Sequence, residues 1–325
     1  MLGKKFATRL NSFSSNWSNK KNITIIDLIN RAATVKGLTD VDLNYPDHTE
    51  NNFKHTLNCI QDNGLKINGF AMRYYNNNKF KLGAFTNPDK KIRQEAIDLT
   101  KRGIDTAREA NCNLMTLWLG QDGFDYSFQS DYKALWQSEI EGIREVTDHD
   151  QECNISIEYK PDEPRAFSLL PNLSTTLLAI SQIESDNIGV TLDFAHLLYA
   201  NELPAYSAAM VSSFSKLFGV HLNDAYSKRD DGLMVGSVHY QATVEFLYQI
   251  SKDNYNGTIY FDTFPNVTDL NPIKECEINI STVKQILKIV SILLEDNTLS
   301  ESMKQQDPLK SQQIFKEALN NLNEW

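Results

Sequence analysis

The sequence predicts an α/β fold, a (β/α)8 TIM barrel with a C-terminal helical extension. Three observations lead there. Short β-branched or apolar runs alternate with longer segments of helical periodicity, eight times over about 290 residues. No Gly-x-Gly-x-x-Gly follows the first of these runs, which removes the main support for a doubly wound dinucleotide-binding sheet. Four successive late runs each end on an acidic or imidazole side chain, as strands opening onto one catalytic rim would.

The strands are expected at residues 5–10, 38–43, 66–72, 114–120, 154–160, 188–194, 217–223 and 258–264. Helices fit between them at 24–35, 51–63, 90–111, 131–148, 172–185, 203–216, 240–253 and 272–295. In the first helix Leu28, Ile29 and Ala32 have the spacing of one apolar face, with Asp27 on its polar edge. Gly37, Gly64 and Gly257 follow helices, where a glycine commonly stops the turn. Residues 1–298 are expected to form the barrel and 299–325 a polar tail with one amphipathic stretch near 309–322. That tail suits a helix packed on the barrel exterior or on a second subunit. No Gly/Ser-rich linker or composition shift divides the chain further.

With 325 residues and 41% hydrophobic content, the chain can bury a large core. No apolar run approaches the roughly 20 residues needed to span a bilayer. The start, MLGKKFATRLNSF, lacks a hydrophobic signal core, so a cytoplasmic protein is expected. The four cysteines form no Cys-x-x-Cys pair and are expected to be reduced and mostly buried. A net charge of −10 argues against a nucleic-acid partner and mildly favours neutral over phosphorylated substrates.

The rim residues are Glu158 in ISIEYKP, Asp193 in GVTLDFAH, His221 in FGVHLND and Asp262 in TIYFDTFP. Three carboxylates and one imidazole suit Mn2+, Mg2+ or Co2+ better than structural zinc, which takes Cys and His. His196 follows Asp193 as Asp-x-x-His and is open to three readings: a second metal ligand, a substrate hydrogen-bonding group or a loop residue. Lys160, two residues beyond Glu158, shares its strand face and can polarise a substrate oxygen, shuttle a proton or balance the carboxylates. Asp230 and Asp231 in KRDDGLMVGS read as a solvated turn, or as a second cation site near the rim. Trp118 can wall the pocket or fill the core. His48, His55 and His149 are expected at the surface, and His239 opens a helix with no assigned role.

The stretches WLGQDGFDY, IEYKPDEPR, TLDFAH, HLND and DDGLMVGS together resemble the xylose isomerase-like TIM barrel superfamily, over roughly residues 70–290. The order Glu, Asp-x-x-His, His-x-Asn-Asp, Asp is most similar to the L-rhamnose isomerase branch and related bacterial sugar isomerases. The resemblance implies that Glu158, Asp193, His221 and Asp262 hold a structural metal that grips neighbouring oxygens of an open-chain sugar. It implies that Lys160 lies near substrate O1 and that His196 and Asp230 belong to a second, catalytic metal site. It also implies a homodimer or homotetramer. Two departures stand out: Gly232 replaces the third acid of the branch's pattern, and one extra residue separates His221 from Asp230. A second metal site would then be weaker, filled with water, or completed by Asp231 or Asp224. Sugar 3-epimerases of the superfamily carry Glu where this chain has Asp262, whereas its aldose–ketose isomerases carry Asp. The expected activity is metal-dependent interconversion of an unphosphorylated aldose and its ketose by C1–C2 hydrogen transfer. A ketose 3-epimerase or an inositol-type isomerase on the same barrel is the alternative. The apurinic endonuclease-like members use a histidine-rich three-zinc cluster and a basic surface, which an acidic chain with six histidines does not supply.

Overall fold

Runs rich in Val, Ile, Leu and Phe, apolar on both faces, make poor surface strands but good members of a parallel sheet covered by helices. Eight runs form that sheet, most of them apolar on at least one face, with polar residues such as Asp40, Asp42 and Asn44 in the second. A computed structural model describes residue 3 and residues 5–17, 22–50 and 52–320. The strands are β1 (Phe6–Thr8), β2 (Asp40–Tyr45), β3 (Lys66–Met72), β4 (Leu114–Leu117), β5 (Asn154–Glu158), β6 (Ile188–Asp193), β7 (Leu217–Leu222) and β8 (Ile259–Phe261). Each lies parallel to the next in chain order, and β8 returns to pair with β1, Ala7 opposite Tyr260. The barrel is nearly closed. Between β1 and β2 the ladder is reduced to a bridge of Arg9 with Asp42, helped by Thr39. The Thr39 N–H donates to the Phe6 carbonyl at 3.0 Å, and the Thr39 hydroxyl oxygen accepts the Phe6 N–H at 2.9 Å.

Eight helices follow the expected boundaries within a few residues: α1 (Ile25–Ala32), α2 (Phe53–Asp62), α3 (Lys90–Glu109), α4 (Tyr132–Thr147), α5 (Leu173–Ile183), α7 (Pro204–Phe214), α8 (Tyr240–Lys252) and α9 (Pro272–Glu295). Local chemistry sets the starts. Thr24 and Asp27 form a capping box on α1, and Asn271 caps α9 ahead of Pro272 at its first position. Leu28, Ile29 and Ala32 are the buried face of α1, as their spacing predicts. One helix was not expected: α6 (Phe194–Tyr199), a short segment directly after β6. Its sequence, FAHLLY, is apolar nearly all round and buried, so no polar face marks it as a helix. A two-stranded antiparallel ribbon, Gly123–Phe124 with Phe167–Ser168, was also unexpected.

Several strands stop short of their expected ends. Trp118, Lys160 and Asp262 lie just beyond β4, β5 and β8, where the backbones diverge into the mouth and no longer pair. The extension begins slightly before residue 299 and is two helices rather than one: α10 (Asn297–Gln305) and α11 (Pro308–Asn320), separated by Gln306 at positive φ and by Pro308. Leu299, Ile314 and Ala318 are buried and join the main apolar core, so the tail packs on its own barrel. Residues 321–325, the end of the expected tail, lie outside the described residues.

His48 overturns its surface assignment. It is buried, its Nδ1 accepts the Asn44 N–H at 3.0 Å, and its Nε2 meets the Asn11 side-chain oxygen at 2.9 Å. Burial, then the nearby Arg73 and Arg9 charges, push its pKa down to about 3. His55 and His149 are exposed, as expected. All four cysteines are free and buried. Among the described residues, no helix is long and apolar enough to cross a membrane.

Candidate metal centre

Strand register brings the four rim residues together. Asp193 sits opposite His221 across β6 and β7, Glu158 pairs with Thr191 two residues below Asp193, and Tyr260 pairs with His221 two residues before Asp262. Because side chains alternate along a strand, all four turn into the same mouth. One donor atom from each of Glu158, Asp193, His221 and Asp262 lies within 4.8 Å of the others. His221 Nδ1 is 3.2 Å from Glu158 Oε1 and 3.9 Å from Asp193 Oδ2. Asn223, the Asn of the His-x-Asn stretch, orients the set. Its side-chain N–H groups donate to both Asp193 oxygens at 3.2 and 3.1 Å and to the Asp262 carbonyl at 3.1 Å. Its own side-chain oxygen accepts the Ala195 N–H at 2.8 Å.

The electrostatics fit a divalent cation. Burial, then repulsion from neighbouring acids, raises the Asp193 pKa to about 7 and also lifts that of Asp262. Burial also opposes ionisation of Glu158, but His221 and His196 beside it hold its pKa down at about 2. Burial lowers the affinity of His221 for a proton, yet Glu158, Asp193 and Asp262 outweigh it and raise its pKa to about 9. Buried acids that hold protons against each other are the arrangement a 2+ ion relieves. Asp262 Oδ1 is buried with no hydrogen-bond partner, so an oxygen lone pair is left for a ligand.

Beside this set stands a second one. Lys160 Nζ lies 2.8 Å from Glu163 and 3.3 Å from Asp230 Oδ2, and His196 Nε2 is 3.2 Å from the same Asp230 oxygen. His196 Nδ1 points back toward Glu158 Oε1 at 3.7 Å. Burial disfavours charge on each of these groups, but their mutual attraction wins: the Asp230 pKa falls to about 2, that of His196 rises to about 9, and that of Lys160 rises. Asp231 and Asp224 are used elsewhere. Asp231 accepts the Tyr226 N–H and pairs with Arg229, while Asp224 accepts the Val238 and His239 N–H groups. Gly232 has a physical reason to lack a side chain: φ is +56°, and a Cβ would lie 2.3 Å from the Phe264 ring.

Trp118 is half-buried and walls the same cavity of 230 Å³, with Lys160 Nζ 5.5 Å from its ring. The cavity thus joins Glu158, His221, Asp262, Lys160, His196, Asp230 and Trp118, while Asp193 lies just beneath its surface. Sequence reasoning missed Arg9, Asp42, Arg73 and Tyr260, which line the other half of the mouth. Burial raises the Asp42 pKa to about 7. The available signal was positional: these residues lie in or immediately beyond the ends of β1, β2, β3 and β8.

A family profile described as a xylose isomerase-like TIM barrel matches residues 31–278. The chain belongs to that family. A curated relative, the xylose isomerase of Thermus thermophilus, is 24% identical over 210 residues, covering 63% of this chain and 54% of that protein. The chain thus spans about half the length of that xylose isomerase. Among solved structures, a D-tagatose 3-epimerase-like protein superposes with a TM-score of 0.70 at 17% identity, covering 88% of this chain and 98% of that one. L-ribulose 3-epimerase gives a TM-score of 0.69 at 14% identity, covering 90% and 98%. D-allulose 3-epimerase from Methylomonas sp., in complex with D-allulose, gives 0.67 at 14% identity, covering 86% and 96%. At these identities the superpositions speak for the shared barrel fold alone.

Proposed function

We propose that the protein is a divalent-metal-dependent sugar isomerase that interconverts an unphosphorylated aldose and its ketose by hydrogen transfer between C1 and C2. One observation carries this: the cluster of Glu158, Asp193, His221 and Asp262, all buried but the half-buried Asp262, adjoins the same cavity as Lys160, Asp230 and His196. Glu158, Asp193, His221 and Asp262 would hold the ion, with Mn2+ first and Mg2+ or Co2+ as substitutes. When bound there, the cation supplies Lewis-acid polarisation of neighbouring sugar oxygens.

The remaining work falls to side chains. Lys160, held charged by Glu163 and Asp230, presents ammonium protons to the cavity and donates to substrate O1. Asp230 joins Lys160 to His196, so a proton taken at one sugar oxygen has a hydrogen-bonded route to the other. Asp230 Oδ1 is buried without a partner and remains free to accept a substrate hydroxyl. Trp118 presents an apolar face that positions the sugar and excludes water. The chain is proposed to work in the cytoplasm as a homodimer or homotetramer.

A ketose 3-epimerase is the second reading, favoured by the names of the superposing structures. An inositol-type isomerase would be marked by activity on cyclic polyols. Against the epimerase stands Asp262, one methylene shorter than the Glu those enzymes carry and less able to bridge metal and substrate carbon. The deciding experiment incubates the protein with Mn2+ and free C4–C6 aldoses and ketoses in D2O and analyses the products by NMR. Aldose–ketose conversion abolished by chelator is the expected result. Deuterium appearing only at ketose C3 would replace this assignment with an epimerase.

A further inference from the structure

We propose that the sugar handled at this site carries a carboxylate at the end remote from C1 and C2, gripped by Arg73 with Arg9 beside it. The proposal rests on the isomerase assignment above and extends it to the class of sugar.

Two arginines and one lysine line the cavity, and they are not equally engaged. Lys160 is taken up by Glu163 and Asp230. Arg9 is half engaged: its Nε lies 3.8 Å from Asp262 Oδ1, and its guanidinium sits 4.8 Å over the Phe264 ring. Arg73 makes no ion pair and no side-chain hydrogen bond among the described residues. Its Nε is buried without a partner, and only the Tyr75 ring, 6.0 Å away, supports it. A buried guanidinium N–H lacking an acceptor is costly, and it persists where a ligand supplies that acceptor.

Position strengthens the case. Arg9 follows β1 and Arg73 follows β3, whereas the four metal ligands come from β5 to β8. Arg9 stays within 3.8 Å of Asp262, so a sugar with one end at the ligands and the other across the cavity meets Arg73 on the β3 side. Asp42 on that side hydrogen-bonds Asn68 and forms no ion pair with either arginine, His48 is neutral, and the pairing of Arg9 with Asp262 is long at 3.8 Å. The guanidinium fork matches the two oxygens of a carboxylate. A monoanion suits one unengaged guanidinium, while Asp42, Glu158 and Asp262 in the same cavity disfavour a dianion such as a phosphate ester.

A competing role for Arg73 is simple charge balance for the carboxylates. Arg73→Lys separates the two, because it keeps the charge and loses the fork. The test measures thermal shifts of the wild type, Arg73→Gln and Arg73→Lys, each with and without Mn2+. The probes are D-glucuronate, D-galacturonate and D-mannuronate, their parent hexoses and the hexose 6-phosphates. The expected result is saturable binding of at least one uronate, weakened about tenfold or more in both variants, with the parent hexose unaffected by either change. Undiminished stabilisation by Mn2+ in the same variants shows that their site is intact. Equal binding of hexose and uronate overturns the proposal, as does full retention of uronate binding by Arg73→Lys or tighter binding of the 6-phosphates. NMR turnover with the same panel keeps the two assignments apart. Conversion of neutral sugars without uronate binding removes the carboxylate subsite and leaves the isomerase. Uronate binding through Arg73 without conversion of any sugar removes the isomerase and leaves the subsite.

Discussion

Glu139 is fully buried in α4, and neither of its carboxylate oxygens has a hydrogen-bond partner among the described residues. Asp122, beside it, spends one oxygen on the Ala84 and Thr86 N–H groups and leaves the other unpartnered. Burial, then the Asp122 charge, raises the Glu139 pKa well above its ordinary 4.5. The folded protein therefore keeps a proton that the unfolded chain releases near 4.5. This contribution to stability is complete below that pH and is lost as pH rises toward the folded-state value. Glu139→Gln keeps the shape, can donate to Asp122 and carries no titration. It is expected to stabilise the protein at pH 8 by on the order of 1 kcal/mol or more, with little effect at pH 5. Urea denaturation at the two pH values checks this, and equal effects at both would sink it. The same scale shows what a sequence reveals. Glu158, Asp193, His221 and Asp262 were legible because each ends an apolar run and their types agree. Arg73, Arg9 and Asp42 were not, because each is a single polar residue whose meaning depends on which neighbours it lacks. His48 was illegible for a related reason: its burial comes from contact with Asn11, thirty-seven residues away.

At the scale of elements, the seam between β1 and β2 is the weakest join in the barrel, and Thr39 holds it through two contacts to Phe6. Thr39→Val leaves the Phe6 N–H without its acceptor, at a cost of about 1–3 kcal/mol. Amide exchange at Phe6–Arg9 should then quicken while β5 and β6 stay protected; uniform exchange around the barrel would count against a local seam. The tail makes a separate prediction. Deleting residues 299–325 removes Leu299, Ile314 and Ala318 from the core and is expected to lower stability by at least about 3 kcal/mol. A truncated chain as stable as the full one in urea would contradict this packing, and light scattering on it reads any added role in subunit contact. The main helices were legible because caps and apolar stripes are local signals. The helix α6 was not, since a mostly apolar hexamer looks the same as helix, strand or buried turn.

For the whole molecule, the alternation of strands and helices, with strand ends gathered on one rim, was readable because a (β/α)8 barrel repeats one rule eight times. Its incomplete closure was not, because it depends on long-range register. The residues proposed to hold the ion come from four consecutive strands or their ends, so binding should couple half the barrel into one unit. With free Mn2+ at a hundred times its dissociation constant, stability should rise by about 2.7 kcal/mol. Chelation should reverse the gain, and Glu158→Gln should abolish it in thermal melts; a variant that still responds fully would remove Glu158 from the ligand set. The four buried thiols add a further property. Burial raises the Cys112 and Cys153 thiols to about 12 and pushes Cys59 and Cys276 up as well, so the reactive thiolate is scarce in the native fold. Cys59 in α2 and Cys276 in α9 lie apart, while Cys112 and Cys153 are neighbours beside the paired strands β4 and β5, so together they sample three sectors of the barrel. Alkylation of each cysteine then waits for its sector to open, with Cys112 and Cys153 expected to label together, and the labelling rates would clock the breathing of the barrel without any engineered probe.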